Sequence, residues 1–472
     1  MRAQTVTAGL ALCLFLAAGM VGVHLGWGTD RDSIRVIGVA SSILAGHYRR
    51  SRSFGFPLHE AATALLVGCG GAVAANLGSL IVTLYGILAA LRVAGRVAPG
   101  RVGLAAVALC SAPLLLVNAS SAIDFGWSFA AGMLLLLAAL RVQRDLSLPA
   151  CANFGAAVLV ALLLRPDNVL FVAAVTLALA WRDTRRRGRI IAVALSAVLL
   201  AACVYLGLNG PGMLLTGVTT TRPWAARVAR AAVFGSAALG PGGVLALALL
   251  ARRHAAQDAP EALLRRAMWL AWLLYLPRFI ALPDQADYLI LPVTVALLAA
   301  VCVLPWRVAV LCAGLSALPA VATISVFRRD NDDGTLRIAV APQPGVVAQD
   351  WSARRFAMDM ARPDMAVFVA SRLVGPAAPK SLAYDTFLPG YLSADSDLVI
   401  GQENLYQIMT DRKLADDASR LAHLATVPRG RFRTIYACDA LLAPGAGWRA
   451  WEAPATATVR VGGPLRCWRT DR

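Results

Sequence analysis

Long apolar runs alternate with short polar breaks along most of this chain, and that alternation predicts its elements. Residues 5–25 form a first run long enough to span a bilayer, since about 20 helical residues cross the hydrocarbon. No small-residue cleavage site follows it, which predicts an anchor retained in the mature chain. Residues 59–71 are apolar but broken by Gly68, Gly70 and Gly71; too short to cross, they predict a re-entrant or interfacial helix. Ten further spans are predicted at 73–92, 102–118, 125–140, 151–164, 168–181, 189–207, 237–251, 267–281, 289–304 and from 308 to about 326. After Phe327 the pattern becomes that of a soluble unit. Short β-like runs at 336–340, 365–369, 382–384, 398–400, 434–437 and 456–461 alternate with helical stretches at 352–361 and 411–425. The expected fold is therefore an α-helical polytopic membrane domain of about eleven spans, 1–326, followed by an α/β domain, 327–472.

Composition supports the membrane reading. Of 472 residues 58% are hydrophobic and 15% charged, with a mean hydropathy of +0.64, whereas soluble domains carry about 25% charged residues. The net charge of +18 would suit nucleic acid, but its distribution excludes that partner. The basic loops at 92–101, 141–144, 182–189, 252–266 and 306–307 fall on one side of the predicted spans, which assigns that side to the cytoplasm. The N-terminus is then cytoplasmic and everything after 327 exoplasmic. Two lysines, Lys380 and Lys413, stand beside more than forty arginines, a bias that with the high Ala content reads as GC-rich coding and a bacterial inner membrane. Seven of the nine cysteines sit inside apolar runs, as small buried hydrophobes do. Cys438 and Cys467 lie in the polar C-terminal region, where an oxidising compartment would let them pair. Cysteine and histidine spacings match no metal site. A divalent metal is left open, and no cofactor is expected.

The first exoplasmic loop, 26–72, carries the densest chemistry. Asp30 and Asp32 follow the first span, a helical repeat ends at Gly46, and Arg35, Arg49, Arg50 and Arg52 accompany them. Arginines on that side oppose the positive-inside bias, and binding a lipid phosphate supplies a reason for them. Sugar transfer from a polyprenyl phosphate needs a carboxylate base for the acceptor hydroxyl and cations for the leaving phosphate. Ordinary solvated loop acids are the bland reading of the same pair.

The run Asp32-Ser33, Arg35, Ala40, Gly46, Tyr48, Ser51-Arg52, Gly55, Pro57-Leu58 and Glu60 resembles the first exoplasmic loop of GT-C glycosyltransferases. That superfamily includes the protein O-mannosyltransferases and the lipid A aminoarabinose transferases. The resemblance covers 1 to about 305 and implies a lipid-phosphate-sugar donor. It maps the loop base onto Asp32, with Asp30 second, and places Tyr48 beside the acceptor. The chain departs from the pattern at Ser33, where a second acid is usual, and at Phe54, where a proline is usual.

The same resemblance reaches Asp124, at a turn where the family has an acid; a helix N-cap is the structural alternative. Arg165-Pro166-Asp167-Asn168 matches a short basic turn, read as a phosphate contact or as an Arg165–Asp167 pair. Arg222, Arg227 and Arg230 lie on a possible amphipathic segment, 223–233, suited to anionic headgroups or donor. Arg278, with Asp287 and Tyr288, resembles a late family loop, Arg278 supplying a charge that Asp287 does not. The expected function is transfer of a sugar from a polyprenyl-phosphate donor to a glycan, lipid or protein acceptor. A transporter or flippase, an O-antigen-type polymerase or ligase, and a non-catalytic assembly protein for lipid-linked saccharides are the alternatives.

Overall fold

A computed structural model of the protein describes 2–23, most of 36–56, 57–181, 184–210, 224–252, 260–282 and 286–317, together with seven short strands beyond 322. Besides helical residues between 36 and 44, which end at Leu44, twelve α-helices make up most of the first part among the described residues. They are α1 (Arg2–Val23), α2 (Pro57–Val97), α3 (Val102–Cys110), α4 (Pro113–Ala119), α5 (Phe125–Arg144) and α6 (Leu148–Leu164), then α7 (Val169–Ala180), α8 (Thr184–Asn209), α9 (Trp224–Arg252), α10 (Pro260–Ala281), α11 (Ile290–Val303) and α12 (Trp306–Ala317).

Four of these segments, Ala3–Met20, Val73–Val97, Phe125–Arg144 and Arg187–Asn209, are long and apolar enough to cross a membrane. Shorter apolar helices stand at most of the other predicted spans. Three expectations need correcting. The run 102–118 is not one helix: it breaks into α3 and α4 ahead of Pro113, whose ring cannot follow a helical turn. The span expected to start at 237 starts at Trp224, so the amphipathic segment 223–233 and the span belong to one helix, α9, kinked at Gly240 (φ 64°) before Pro241. The last helix is described as far as Ala317, 318–322 lie outside the described residues, and Thr323–Ser325, where the last span was expected to continue, is a strand.

α2 carries the glycine break foreseen at 68–71. Gly70 and Gly71 leave helical geometry, Gly71 at φ 62°, so the half-helix 57–69 enters at its own angle before the span Val73–Val97. The kink decides where the head of α2 points. Packing then follows from small residues: a Cβ on Gly86 would meet the Ala130 backbone and the Phe129 ring, so α2 and α5 run unusually close. Phe129, Met133, Phe154, Phe171 and Phe279 are among the largest fully buried side chains around α5.

Basic residues collect at one end of the bundle. Arg96, Arg141 and Arg144 lie in the last turns of α2 and α5, and Arg101 caps the C-terminus of α11 by donating to the carbonyls of Val301 (2.7 Å) and Leu304. The opposite end holds the heads of α2, α5 and α11 and the tails of α6, α8 and α10.

Beyond the helices, β1 (Thr323–Ser325) pairs antiparallel with β2 (Arg337–Ala339). A five-stranded mixed sheet follows in the order β3-β4-β5-β7-β6, with β3 (Lys380–Ser381), β4 (Asp397–Gly401), β5 (Thr434–Cys438), β6 (Arg449–Glu452) and β7 (Arg466–Asp471). β3, β4 and β5 are parallel; β7 runs against both β5 and β6. The expected strands at 336–340, 398–400 and 434–437 are found, the one at 382–384 lies outside the described residues next to β3, and β6 and β7 were not foreseen. The expected strands at 365–369 and 456–461 and helices at 352–361 and 411–425 lie outside the described residues.

Candidate functional site

At the end opposite the basic turns, Asp124 is completely buried between two arginines from distant segments. Its Oδ1 accepts from Arg52 Nη2 at 2.6 Å, and its Oδ2 accepts from Arg165 Nη1. Asp124 stands at the N-cap of α5, yet its side chain makes no capping bond. The capping alternative is thereby set aside in favour of ion pairing. Burial alone would raise the Asp124 carboxyl, but the two guanidiniums outweigh it and hold it well below the usual carboxylate range. Arg165 shows the mirror image. Burial works against its charge, and Asp124, then Asp167, more than restore it.

Arg165 follows the last turn of α6, where the 3-10 turn Pro166–Asn168 leads into α7. Asn168 anchors this turn: it donates to the carbonyl of Ala161 (2.8 Å) and accepts from Ser128 of α5 (2.6 Å). Arg165 Nη2 also reaches Asp167 Oδ2 at 3.4 Å, and Arg278 Nη2 approaches the same oxygen at 3.7 Å. The Arg165–Asp167 pair expected from the sequence therefore exists, within a larger network that includes Asp124.

Aromatic faces complete the cluster. The Arg52 guanidinium lies 3.7 Å from the Phe56 ring centroid, Arg165 4.2 Å from Phe125 and 4.8 Å from Tyr288, and Arg278 5.2 Å from Tyr288. Asp287 is buried and accepts from Asn118 Nδ2 at 2.7 Å. The side chains grade outward: Arg165 is 4% exposed, Arg52 12% and Arg278 25%. Guanidiniums flanked by aromatic rings at one end of an apolar bundle form a site whose chemistry suits an anion.

The approach to the site is also fixed. The helix ending at Leu44 closes with Gly46 at φ 85°, where Gly46 N–H donates to Ile43 and His47 N–H to Ser42, the double bond pattern of a glycine C-cap. Glu60, buried in the first turn of α2, accepts from Tyr48 Oη (2.6 Å), Ser51 N–H (2.8 Å) and Ser51 Oγ. Burial and the Glu60 carboxylate push the Tyr48 phenol above its usual range, so it remains a donor. His59, ahead of the kink, is fully buried against Thr63 (3.3 Å) and edge-on to Trp127; its pKa is lowered to about 4, burial being the main cause.

Of the residues expected from sequence, the structure brings together Arg52, Asp124, Arg165, Arg278, Asp287 and Tyr288. Tyr48, expected beside the acceptor, donates to Glu60. Asp30, Asp32, Arg35, Arg49 and Arg222 lie outside the described residues. Asn118, Phe125 and the hub role of Glu60 were not foreseen. A buried acid one turn into an apolar helix is a signal for Glu60, while Phe125 looks like any other apolar helix residue.

Fold and site together define a multi-helix bundle of membrane-spanning type with a buried arginine–aspartate cluster at one end. No family model matches the chain, and no curated protein matches it in sequence. Solved structures do. The crystal structure of ArnT from Cupriavidus metallidurans bound to undecaprenyl phosphate superimposes with a TM-score of 0.55 at 14% identity, over 98% of this chain and 97% of that one. The same protein in its apo state gives a TM-score of 0.56 at 16% identity, over 99% and 98%. This is the fold that the resemblance of the first loop implies.

Proposed function

We propose that the protein is an integral-membrane glycosyltransferase of the GT-C type that moves a sugar from a polyprenyl-phosphate donor to an acceptor hydroxyl on the exoplasmic face. The observation that carries this reading is the convergence of Arg52, Arg165 and Arg278 at one end of an ArnT-like bundle. That end is the one reached by the loop with Asp30 and Asp32, and lies opposite the basic turns that mark a cytoplasmic side. The eleven crossings, with the N-terminus inside and 327–472 outside, belong to this reading.

The roles divide by geometry. Arg52 and Arg278, at the outer edge of the cluster, contact the donor phosphate and stabilise it as it leaves, with Arg35, Arg49 and Arg222 as further contacts. Arg165 is buried deeper and holds the network. Asp124 has both oxygens taken by guanidiniums, so it orients Arg52 and Arg165 and does not collect the acceptor's proton. That task falls to Asp32, whose carboxylate takes the proton as the anomeric carbon parts from the phosphate oxygen. A transporter would carry charges at mid-span, yet α6, α7 and α11 carry none.

The test is transfer from a labelled polyprenyl-phosphate sugar in membranes, wild type against Asp32→Asn at matched expression. The expected result is a loss of at least about 100-fold with donor binding kept, the scale of a general base. Equal transfer by both would move the role to Asp30, and no transfer by wild type from a spread of donors would return the transporter reading.

A further inference from the structure

A buried carboxylate usually faces a cation, but Glu60 is bonded to a loop. The two ends of that loop, Tyr48 and Ser51, meet on its two oxygens, and between this pair and Glu60 itself the chain must make a tight return. Gly55 makes it. Its φ of 72° is strained for an L side chain, and a Cβ there would overlap Tyr48 Oη. Gly55 N–H closes the turn on the carbonyl of Arg52 (3.0 Å), and Asn209, at the end of α8, donates to the carbonyl of Phe54 (3.2 Å). Residues 48–60 are thus a closed clasp. Arg52 is held in its middle, one residue past Ser51, with its guanidinium between Phe56 and Asp124.

We propose that Glu60 is a positioning residue: with Tyr48, Ser51 and Gly55 it sets the backbone from which Arg52 reaches Asp124 and the donor phosphate. The phosphate part rests on the function proposed above. The clasp itself does not. It explains why a residue with no place in the chemistry is buried as an acid, and why a glycine stands where the loop resemblance already has one. Asp124 fixes the far end of the Arg52 side chain; Glu60 fixes the near end. A long, flexible side chain clamped at both ends loses little further freedom on meeting an anion, and that preorganisation raises affinity.

The experiment is a double-mutant cycle on the full-length chain in detergent, with undecaprenyl phosphate as the probe. Arg52→Ala and Glu60→Ala are each expected to weaken its binding about tenfold, and the double variant no more than Arg52→Ala alone, since both changes remove one interaction. Gly55→Ala and Tyr48→Phe are expected to weaken binding in the same direction, and they serve if Glu60→Ala does not fold. Effects of Arg52→Ala and Glu60→Ala that multiply, or wild-type affinity in Glu60→Ala, would overturn the clasp. Should wild type bind no polyprenyl phosphate, the donor reading fails by itself. The cycle is then read on thermal unfolding of the ligand-free chain, where coupled shifts support the clasp and additive shifts reject it.

Discussion

Asp124 is the residue on which the site turns. Two arginines share its carboxylate in a buried setting, and removing one partner of such a group leaves uncompensated charge. Asp124→Ala is therefore expected to destabilise the chain by about 3–5 kcal/mol, read as a fall in the thermal midpoint, whereas Asp287→Asn, which can still accept from Asn118, should shift it far less. Acid separates two residues. His59 is neutral in the fold with a pKa of about 4, so the unfolded chain binds more protons below about 6.5 and stability falls from there towards pH 4. Asp124 is held below its ordinary value, so its contribution persists above about 3.9 and is lost only as pH falls below that. Stability against pH is expected to decline in two stages, with His59→Asn abolishing the first and leaving the second. A single stage in both proteins would contradict the assignment.

Among elements, the kinked helices matter most. Gly71 sits at φ 62° with open space where a Cβ would go, so Gly71→Ala meets only backbone strain, about 1–3 kcal/mol, with no clash to confuse it. The expected result is lower stability and a re-aimed head of α2, seen as weaker anion binding without loss of insertion. This kink was legible in the sequence because three glycines interrupt one apolar run, and the bases of most other helices were legible from apolar length alone. The arginine cluster was partly legible. Arg165 and Asp124 announce themselves as charges between spans, but nothing in a one-dimensional pattern says that residue 52 reaches residue 124, because that depends on which helix heads share an end and how closely glycines let them approach. The amphipathic segment 223–233 was legible as well; what the pattern did not show is that it runs on through Gly240 into the apolar helix that follows.

For the molecule as a whole, the C-terminal sheet makes its own statement. Cys438 of β5 and Cys467 of β7 are the two cysteines of residues 327–472, and they occupy opposed positions in an antiparallel pair. Opposed residues in such a pair have Cα atoms about 4.5 or 5.5 Å apart, inside the range of about 4.4–6.8 Å that a disulfide spans. In an exoplasmic, oxidising compartment the pair is expected to resist alkylation in denatured protein until a reductant is added, with two thiols then appearing per chain. All nine thiols reacting at once, rather than the seven outside the pair, would reject either the register or the exoplasmic placement. An impermeant maleimide applied to Cys438→Ser in intact cells tells these apart, since Cys467 labels only if it lies outside.

The separation in sequence of the three charges at the site's centre also orders its manufacture. Arg52 meets an acid 72 residues further on, and that acid meets Arg165 another 41 later. A chain being threaded into the membrane from its N-terminus thus carries Arg52 for a long stretch of synthesis before its partner arrives, and Asp124 for a shorter one before its second. The cluster closes only when α6 has been delivered and the turn behind it emerges. Until then the charges of the cluster lack the partners that compensate them in the finished bundle. Nascent chains stalled before Arg165 are accordingly expected to be held or degraded, and those stalled after Asn168 to be released as settled bundles.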